Sequence, residues 1–251
     1  MSATNPITGK IENESSAAPF QNWNDRIFSE CYGVNASAPI VSGTQNNYRH
    51  LSADFGPTLL RWMEQKRPRT YKAIIESQSS QTNPTNAHGN IMAQGYHHAI
   101  LPLANINDIE TEIIWGIKDF EHRFGTIPKG FWLPETAVNS QVLSVLARLG
   151  VEYVVLSPNQ AKTIRSPQGV EHEGSELSAN ALSQRPYWVK TQEGPMTVFF
   201  YHGELAQAVA FEGALSDGES FAQTIINQAQ SCDNNSLTHF ATDGESYGHH
   251  H

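Results

Sequence analysis

From residue 91 onward, short apolar runs alternate with segments whose apolar residues recur at helical spacing. The apolar runs predict strands over 91–100, 130–133, 151–156, 196–201 and 237–242. Strands that alternate with helices are typical of a parallel sheet, either open or closed into a barrel. We therefore expect an α/β fold, and this expectation also fixes where polar side chains can meet, because parallel strands all end at one edge.

The predicted helices carry recognisable end signals. Gly125 closes a helix over 109–124, and a helix capped by Asn139 ends at Gly150. A further helix is predicted over 221–229, and a polar loop with a short hairpin over 165–186. Earlier in the chain, Pro57 suits the first turn of a helix, and Pro68 is expected to end that helix and begin another.

Residues 1–50 are rich in Asn, Ser, Ala and Pro and show little periodicity, which predicts a loop-rich N-terminal segment. We expect this segment to be part of one domain that spans residues 1–251. The two cysteines, Cys31 and Cys232, lie too far apart to suggest a disulfide framework or a zinc site by spacing, so two free thiols are expected.

Charge and hydropathy exclude several classes of function. The net charge is −9 with no basic run, which argues against nucleic-acid binding, because that binding needs Lys and Arg to neutralise phosphates. There is no apolar stretch of the roughly 18 residues needed to cross a bilayer, and residues 1–10 contain no apolar core of a signal peptide. A cytoplasmic location, with no membrane partner, is the default expectation.

Carboxylates follow two of the predicted strands. Glu135 comes directly after 130–133, a strand that contains Trp132, and Asp243 and Glu245 follow 237–242. In α/β barrels the carboxyl ends of strands carry the chemistry. Other readings remain open: Glu135 could be held by amides at a helix N-terminus, and Asp243-Gly is a common Asx-turn pair.

Taken together, the two strand-terminal acids suit glycoside hydrolysis. In that reaction one carboxylate attacks the anomeric carbon while the other delivers and then removes a proton. The environments of the two groups must separate their pKa values, so that one is ionised and the other protonated. An aromatic ring such as Trp132 offers a stacking face for a sugar.

Histidines also follow strand ends. His97 and His98 come after the first of these strands, and since neighbouring side chains in a strand face opposite ways, at most one points into a site. His202, two residues before Glu204, follows 196–201. The run Gly248-His-His-His251 places three adjacent histidines that cannot all converge on one ion from regular structure. No metal and no cofactor is therefore expected.

These residues resemble glycoside hydrolase family 57. That family carries Trp-Leu-x-Glu at one strand end and Asp-Gly-Glu or Asp-Asp-Glu at a later one, here Trp132-Leu-Pro-Glu135 and Asp243-Gly-Glu245. Further matching segments are Gly95-Tyr-His-His-Ala-Ile-Leu-Pro-Leu103, Asp119-Phe-Glu-His-Arg-Phe-Gly125 and Phe55-Gly-Pro57. The likeness is greatest to the subgroup catalogued as domain of unknown function 3536, through Trp23-Asn-Asp-Arg26, Glu30-Cys-Tyr32 and the segment from Asp243 to His251.

The resemblance implies Glu135 as nucleophile, Asp243 as general acid/base, and an incomplete (β/α)7 barrel. Trp132, His97, His98, His202 and Glu245 are the candidate substrate-binding residues. The family's first strand ends in a His-x-x-Gln-Pro type motif that has no counterpart here, and the family continues beyond the acid/base motif. A fragment shortened at both ends is therefore expected.

Three functions follow as hypotheses. The first is a retaining glycosidase or glycosyltransferase that acts on an α-glucan, with an oligo- or polysaccharide as its partner. The second is a metal-dependent polysaccharide deacetylase, which needs an Asp and two His around a metal; His88, His97 and His98 lack a partnered Asp at a neighbouring strand end. The third is a non-catalytic carbohydrate-binding relative. The sequence does not indicate the sugar, the linkage or the oligomeric state.

Overall fold

The computed structural model describes residues 14–78, 89–174, 177–233 and 236–250. Its centre is a six-stranded sheet in the order β3-β4-β5-β6-β10-β9, flanked by two separate hairpins, β1-β2 and β7-β8. In chain order the strands are β1 (Ala38–Ile40), β2 (Gly43–Gln45), β3 (Ala53–Asp54), β4 (Ile91–Gln94), β5 (Gly130–Trp132), β6 (Tyr153–Leu156), β7 (Thr163–Arg165), β8 (Glu171–Glu173), β9 (Pro186–Thr191) and β10 (Gly194–Phe200).

The helices of the described residues lie around this sheet. In chain order they are α1 (Trp23–Ile27), which continues through a π-helical turn (Phe28–Tyr32) into α2 (Gly33–Ala36), then α3 (Pro57–Lys66), α4 (Pro68–Ser77), α5 (Ile106–Phe124), α6 (Ser140–Arg148), α7 (Ala179–Ser183), α8 (Gly203–Phe211) and α9 (Gly218–Gln230). Helix α5 packs on β4, and α6 packs on β10 and β9. No helix in the described ranges is long and apolar enough to cross a membrane.

Five strands of the sheet are parallel, and this places their carboxyl ends together. Gln94 pairs with Trp132, Phe131 with Val154, and Leu156 with Phe200. Strand β3 is also parallel to β4, whereas β9 is antiparallel to β10. The predicted α/β class is confirmed, and within the described residues the sheet is open, with β3 and β9 at its edges.

Helix α5 shows how local sequence positions the elements. The Asn105 side chain accepts a hydrogen bond from Asp108 N at the start of the helix, and Gly125 ends it in the left-handed conformation (φ 69°). Its buried stripe includes Ile109, Ile113 and Phe120. One apolar core, with Phe131 fully buried in it, joins this stripe to the sheet. The predicted end of this helix at Gly125 is confirmed.

Several predictions from the sequence are wrong. Residues 23–36 form a continuous helical segment rather than loops. Its buried residues are Cys31, Asn35 and Ala36, which are too few to produce an apolar period in the sequence. The segment 237–242, which the sequence predicts as a strand, forms neither a strand nor a helix. It bonds to the rest of the fold at isolated points, such as His202 N to His239 O (3.0 Å), and so lacks a continuous ladder.

Candidate active site

A cavity of about 670 Å³ lies at the carboxyl ends of β3, β4 and β5. Its lining includes Asp54, Gln94, His98, Trp132 and Asp243, with apolar and aromatic side chains of β6 and β10 beside them. This volume is in the range of pockets that hold small organic ligands, and a few polar groups within apolar walls are typical of such pockets. The parallel sheet thus gathers residues that are distant in sequence into one site.

Glu135 is positioned by a strained turn after β5. Its φ is 55°, and the other non-glycine residues with positive φ in the described part of the chain are Thr136 (53°) and His98 (58°). Glu135 Oε1 lies 3.6 Å from His98 Nε2, and its side chain is 75% exposed. Glu135 itself does not line the cavity, but it contacts His98, which does. Left-handed backbone at non-glycine residues is costly and is concentrated at functional sites.

Asp243 begins a short 3₁₀ turn, Gly244–Ser246. Asp243 is exposed to the cavity, whereas Glu245 is half-buried and accepts a hydrogen bond from Tyr32 Oη. The hydroxyl group of Tyr32 and the thiol of Cys31 both lie below the surface here. Burial and the charge of Glu245 raise the pKa of Cys31 to about 12. Cys31 is therefore a neutral thiol and not a nucleophilic thiolate.

The N-terminal helical segment holds the Asp243 turn in place. Cys31 Sγ donates to Gly244 O (3.2 Å), and Asn35 Nδ2 donates to Tyr247 O (2.8 Å). His249 Nδ1 contacts the Glu30 carboxylate, and its ring stands edge-on to Trp23 at 5.7 Å. These contacts hold the backbone between the two acids and after them, so we expect the position of the Asp243 turn to depend on residues 23–36.

Gly248 provides a test of this anchor. It has a φ of 134°, and a Cβ atom added to it would lie 2.1 Å from Glu30 O. We expect Gly248→Ala to separate the Asp243 turn from the helical segment and to cost about 2–4 kcal/mol of folding free energy. Urea unfolding gives the cost, and Trp23 fluorescence reports the local loosening. Gly218→Ala is the matched control, because nothing lies within 4 Å of its added Cβ; equal effects in the two variants would contradict the anchor.

Asp54 is a third carboxyl group at this site. It ends β3, lines the cavity and accepts a hydrogen bond from Gln94 Nε2 (2.8 Å). Burial, with smaller contributions from Glu245 and Asp243, raises the pKa of Asp54 to about 7. Desolvation disfavours the charged form of a carboxyl group, and neighbouring negative charges act in the same direction.

The histidines divide into separate environments. His98 lines the cavity, whereas His97 turns away, with Nδ1 2.6 Å from Glu112 Oε1 and a 54% exposed side chain. His202 is 3% exposed and its Nδ1 accepts from Leu205 N at the start of α8. The predicted substrate-binding role of His202 conflicts with this placement, because a helix-capping ring buried away from the cavity is not available to a sugar.

Potential metal ligands do not gather at this site. Among the described residues there is no cluster of three or more His, Cys, Asp or Glu side chains that could hold a metal ion. The ring centroids of His249 and His250 lie 4.8 Å apart with the rings tilted by 48°, and His249 pairs with Glu30. His88 and His251 lie outside the described residues.

Asp54 and Gln94 are among the cavity residues that sequence reasoning missed. Gln94 carried a usable signal, since it is a polar residue at the end of an apolar strand that runs into a candidate site. Asp54 carried almost none, because β3 has only two residues, too few to show a strand period. In addition, Pro57 predicts the start of a helix just after Asp54, so the sequence gives no sign of a strand end there.

Known proteins resemble this chain in sequence and in fold. The alpha-amylase 1 of Dictyoglomus thermophilum is 23% identical over 181 residues, which are 68% of this chain and 25% of that protein. The 4-alpha-glucanotransferase of Thermococcus litoralis superposes with a TM-score of 0.61 at 18% identity, over 90% of this chain and 31% of that one. The exo-type maltose-forming amylase of Pyrococcus sp. ST04 gives 0.62 at 17% identity, over 90% and 35%.

This chain therefore spans about a quarter to a third of the length of those proteins, and at such identities the superpositions establish the α/β fold. The sequence pattern of the family described as "Glycosyl hydrolase family 57" matches residues 13–251. That match covers nearly the whole chain, including both acidic motifs and the N-terminal helical segment that anchors one of them. The chain belongs to glycosyl hydrolase family 57.

Proposed function

We propose that this protein is a retaining glycosidase or transglycosylase that acts on an α-glucan through a covalent glycosyl-enzyme. The observation that carries the proposal is the cavity lined by Asp243, Trp132 and His98, with Glu135 in contact with His98. Membership of the family supports it. So do the names of the similar proteins, which are an amylase, a glucanotransferase and a maltose-forming amylase.

In the first step, a Glu135 carboxylate oxygen forms a bond to the anomeric carbon as the bond from that carbon to the leaving oxygen breaks. Asp243 supplies the proton that the leaving oxygen takes up. In the second step, Asp243 removes a proton from the acceptor, whose oxygen displaces Glu135 from the anomeric carbon. Water as the acceptor gives hydrolysis, and a sugar hydroxyl gives transfer.

Trp132 and Glu245 bind and orient the sugar in this proposal. The half-exposed ring of Trp132 provides a stacking face at the end of β5. Glu245 accepts from Tyr32, which leaves its other lone pairs for sugar hydroxyls. The finer likeness to the subgroup of unknown function rests on the Trp23-Asn-Asp-Arg26 and Glu30-Cys-Tyr32 runs, and it stays a prediction.

Trapping of the glycosyl-enzyme tests the proposal directly. A fluorinated α-glucosyl fluoride, which forms the intermediate faster than water removes it, is expected to add one sugar mass to the protein, on the peptide that contains Glu135. Asp243→Asn is expected to retain labelling, because fluoride leaves without a proton, whereas Glu135→Gln is expected to abolish it. A label on another peptide, or labelling of Glu135→Gln, would overturn the assignment of the nucleophile.

A further inference from the structure

A line of polar side chains runs from Asp54 to Glu135. Gln94 Nε2 donates to Asp54 Oδ2 (2.8 Å), and Gln94 Oε1 lies 3.0 Å from His98 Nδ1. His98 Nε2 lies 3.6 Å from Glu135 Oε1. The four residues come from the ends of β3 and β4 and from the turns after β4 and β5. They connect the inner wall of the cavity to the acid that stands outside its lining.

The chemistry of the amide gives this line a direction. An amide group donates only through nitrogen and accepts only through oxygen. Because the nitrogen of Gln94 is used by Asp54, its oxygen faces His98, and His98 Nδ1 must carry a hydrogen to donate to it. The other ring nitrogen, Nε2, then faces Glu135. The hydrogen-bond partner of one ring nitrogen thus determines which of the two nitrogens carries the hydrogen in the neutral ring.

The backbone around Gln94 is held tightly enough to keep this geometry. Helix α5 approaches β4 so closely that a Cβ atom on Gly116 would lie 1.9 Å from Gln94 O. The Glu112 carboxylate, also on α5, accepts from His97 N (2.8 Å), and Tyr96 N donates to Glu112 O (3.2 Å). The turn that contains His98 is therefore fixed from the helix side, and Gln94 is buried.

We propose that Asp54 and Gln94 are positioning residues that hold His98 with a proton on Nδ1 and its Nε2 facing the Glu135 carboxylate. A ring held in this way keeps its Nε2 3.6 Å from Glu135 Oε1 and so orients that acid. This inference rests on the proposed function, since it concerns the orientation of the proposed nucleophile. Asp54 and Gln94 act through His98 and do not take part in bond making.

The tautomer of His98 tests this inference without any measurement of activity. In the full chain, ¹⁵N shifts of His98 at alkaline pH, where the ring is neutral, are expected to show the hydrogen on Nδ1. Gln94→Met, which keeps the length of the side chain but removes the acceptor, is expected to move the hydrogen to Nε2 or to mix the two forms. Asp54→Asn retains an acceptor for Gln94 and serves as the control with an unchanged tautomer. A wild-type ring with its hydrogen on Nε2 overturns the proposal even if every variant fails to fold.

Kinetics separate this inference from the proposed function. Gln94→Met and Asp54→Leu are expected to lower kcat on an α-glucan by about 10- to 100-fold with little change in KM, as for other residues that orient a reacting group. Asp54→Asn, which retains an acceptor for Gln94, is expected to recover most of the kcat that Asp54→Leu loses. Inactive Glu135→Gln beside fully active Gln94→Met would overturn the positioning role and leave the function standing. Fully active Glu135→Gln would overturn the function, while the ¹⁵N shifts would still show whether the hydrogen-bonded line exists.

Discussion

Glu135→Gln is expected to lower kcat on an α-glucan by about 10³-fold or more, because the amide cannot form the glycosyl-enzyme. The fold is expected to be unaffected, since the side chain is 75% exposed and its polar contact within the described part of the chain is with His98. Initial rates of reducing-end release measure hydrolysis, and a change in chain-length distribution measures transfer. Both activities are expected to fall together because they share the first step.

The matched control is Glu219→Gln. Glu219 is an exposed residue in the first turn of α9 and does not line the cavity. This substitution removes the same charge and is expected to keep full activity. Asp243→Asn gives the complementary result: a large loss on a glucan, and a much smaller loss in the first step on a substrate whose leaving group needs no proton. A Glu135→Gln protein with wild-type rates would contradict the proposed mechanism.

Asp54→Asn is expected to stabilise the protein at neutral and alkaline pH but not in acid. Burial raises the pKa of Asp54 to about 7, against 3.8 for the free side chain. Between these two values the folded protein holds a proton that the unfolded chain has lost, so the free energy of unfolding falls as the pH rises through this window. The amide has no such ionisation, and the expected gain near pH 8 is about 1–3 kcal/mol.

Urea unfolding of both proteins near pH 4 and near pH 8 measures this difference. The stabilities are expected to approach each other near pH 4, where Asp54 is protonated in the folded state and about half protonated in the unfolded chain, and to separate at the higher pH. Asp233→Asn is the control, because that carboxyl group is exposed and its contact with Arg185 is long, at 3.7 Å. A constant difference between wild type and Asp54→Asn at both pH values would contradict the shifted pKa.

The sequence was most informative where local chemistry sets the structure. Asn139 caps α6 by accepting from Val142 N, and Gly150 follows the helix with a φ of 84°, as predicted. The strands β5, β6 and β10 could be predicted because each is a continuous apolar run covered by helices. Strand β9 escaped prediction, since Pro186–Thr191 lies at an edge, alternates between exposed and half-buried residues, and carries the exposed Trp188.

The site was predictable only in part, because tertiary contacts decide which side chains meet. The expectation that at most one of His97 and His98 faces the site assumed a strand through both residues, whereas β4 ends at Gln94 and both lie in the turn after it. Glu112, fifteen residues after His97, pairs with the His97 ring and holds it away from the cavity. The role proposed for Asp54 depends on its burial and on its hydrogen bond with Gln94. Neither can be predicted from the two residues of β3.

The contact between the helical segment 23–36 and the Asp243 turn has a kinetic consequence. Cys31 and Gly244, which it brings together, are separated by 213 residues. Closing so large a loop has a high entropic cost, and contacts of long sequence separation slow folding. The side of the cavity that carries Asp243 is thus assembled from remote parts of the polypeptide, and a partly folded chain with its sheet already paired would still lack that side.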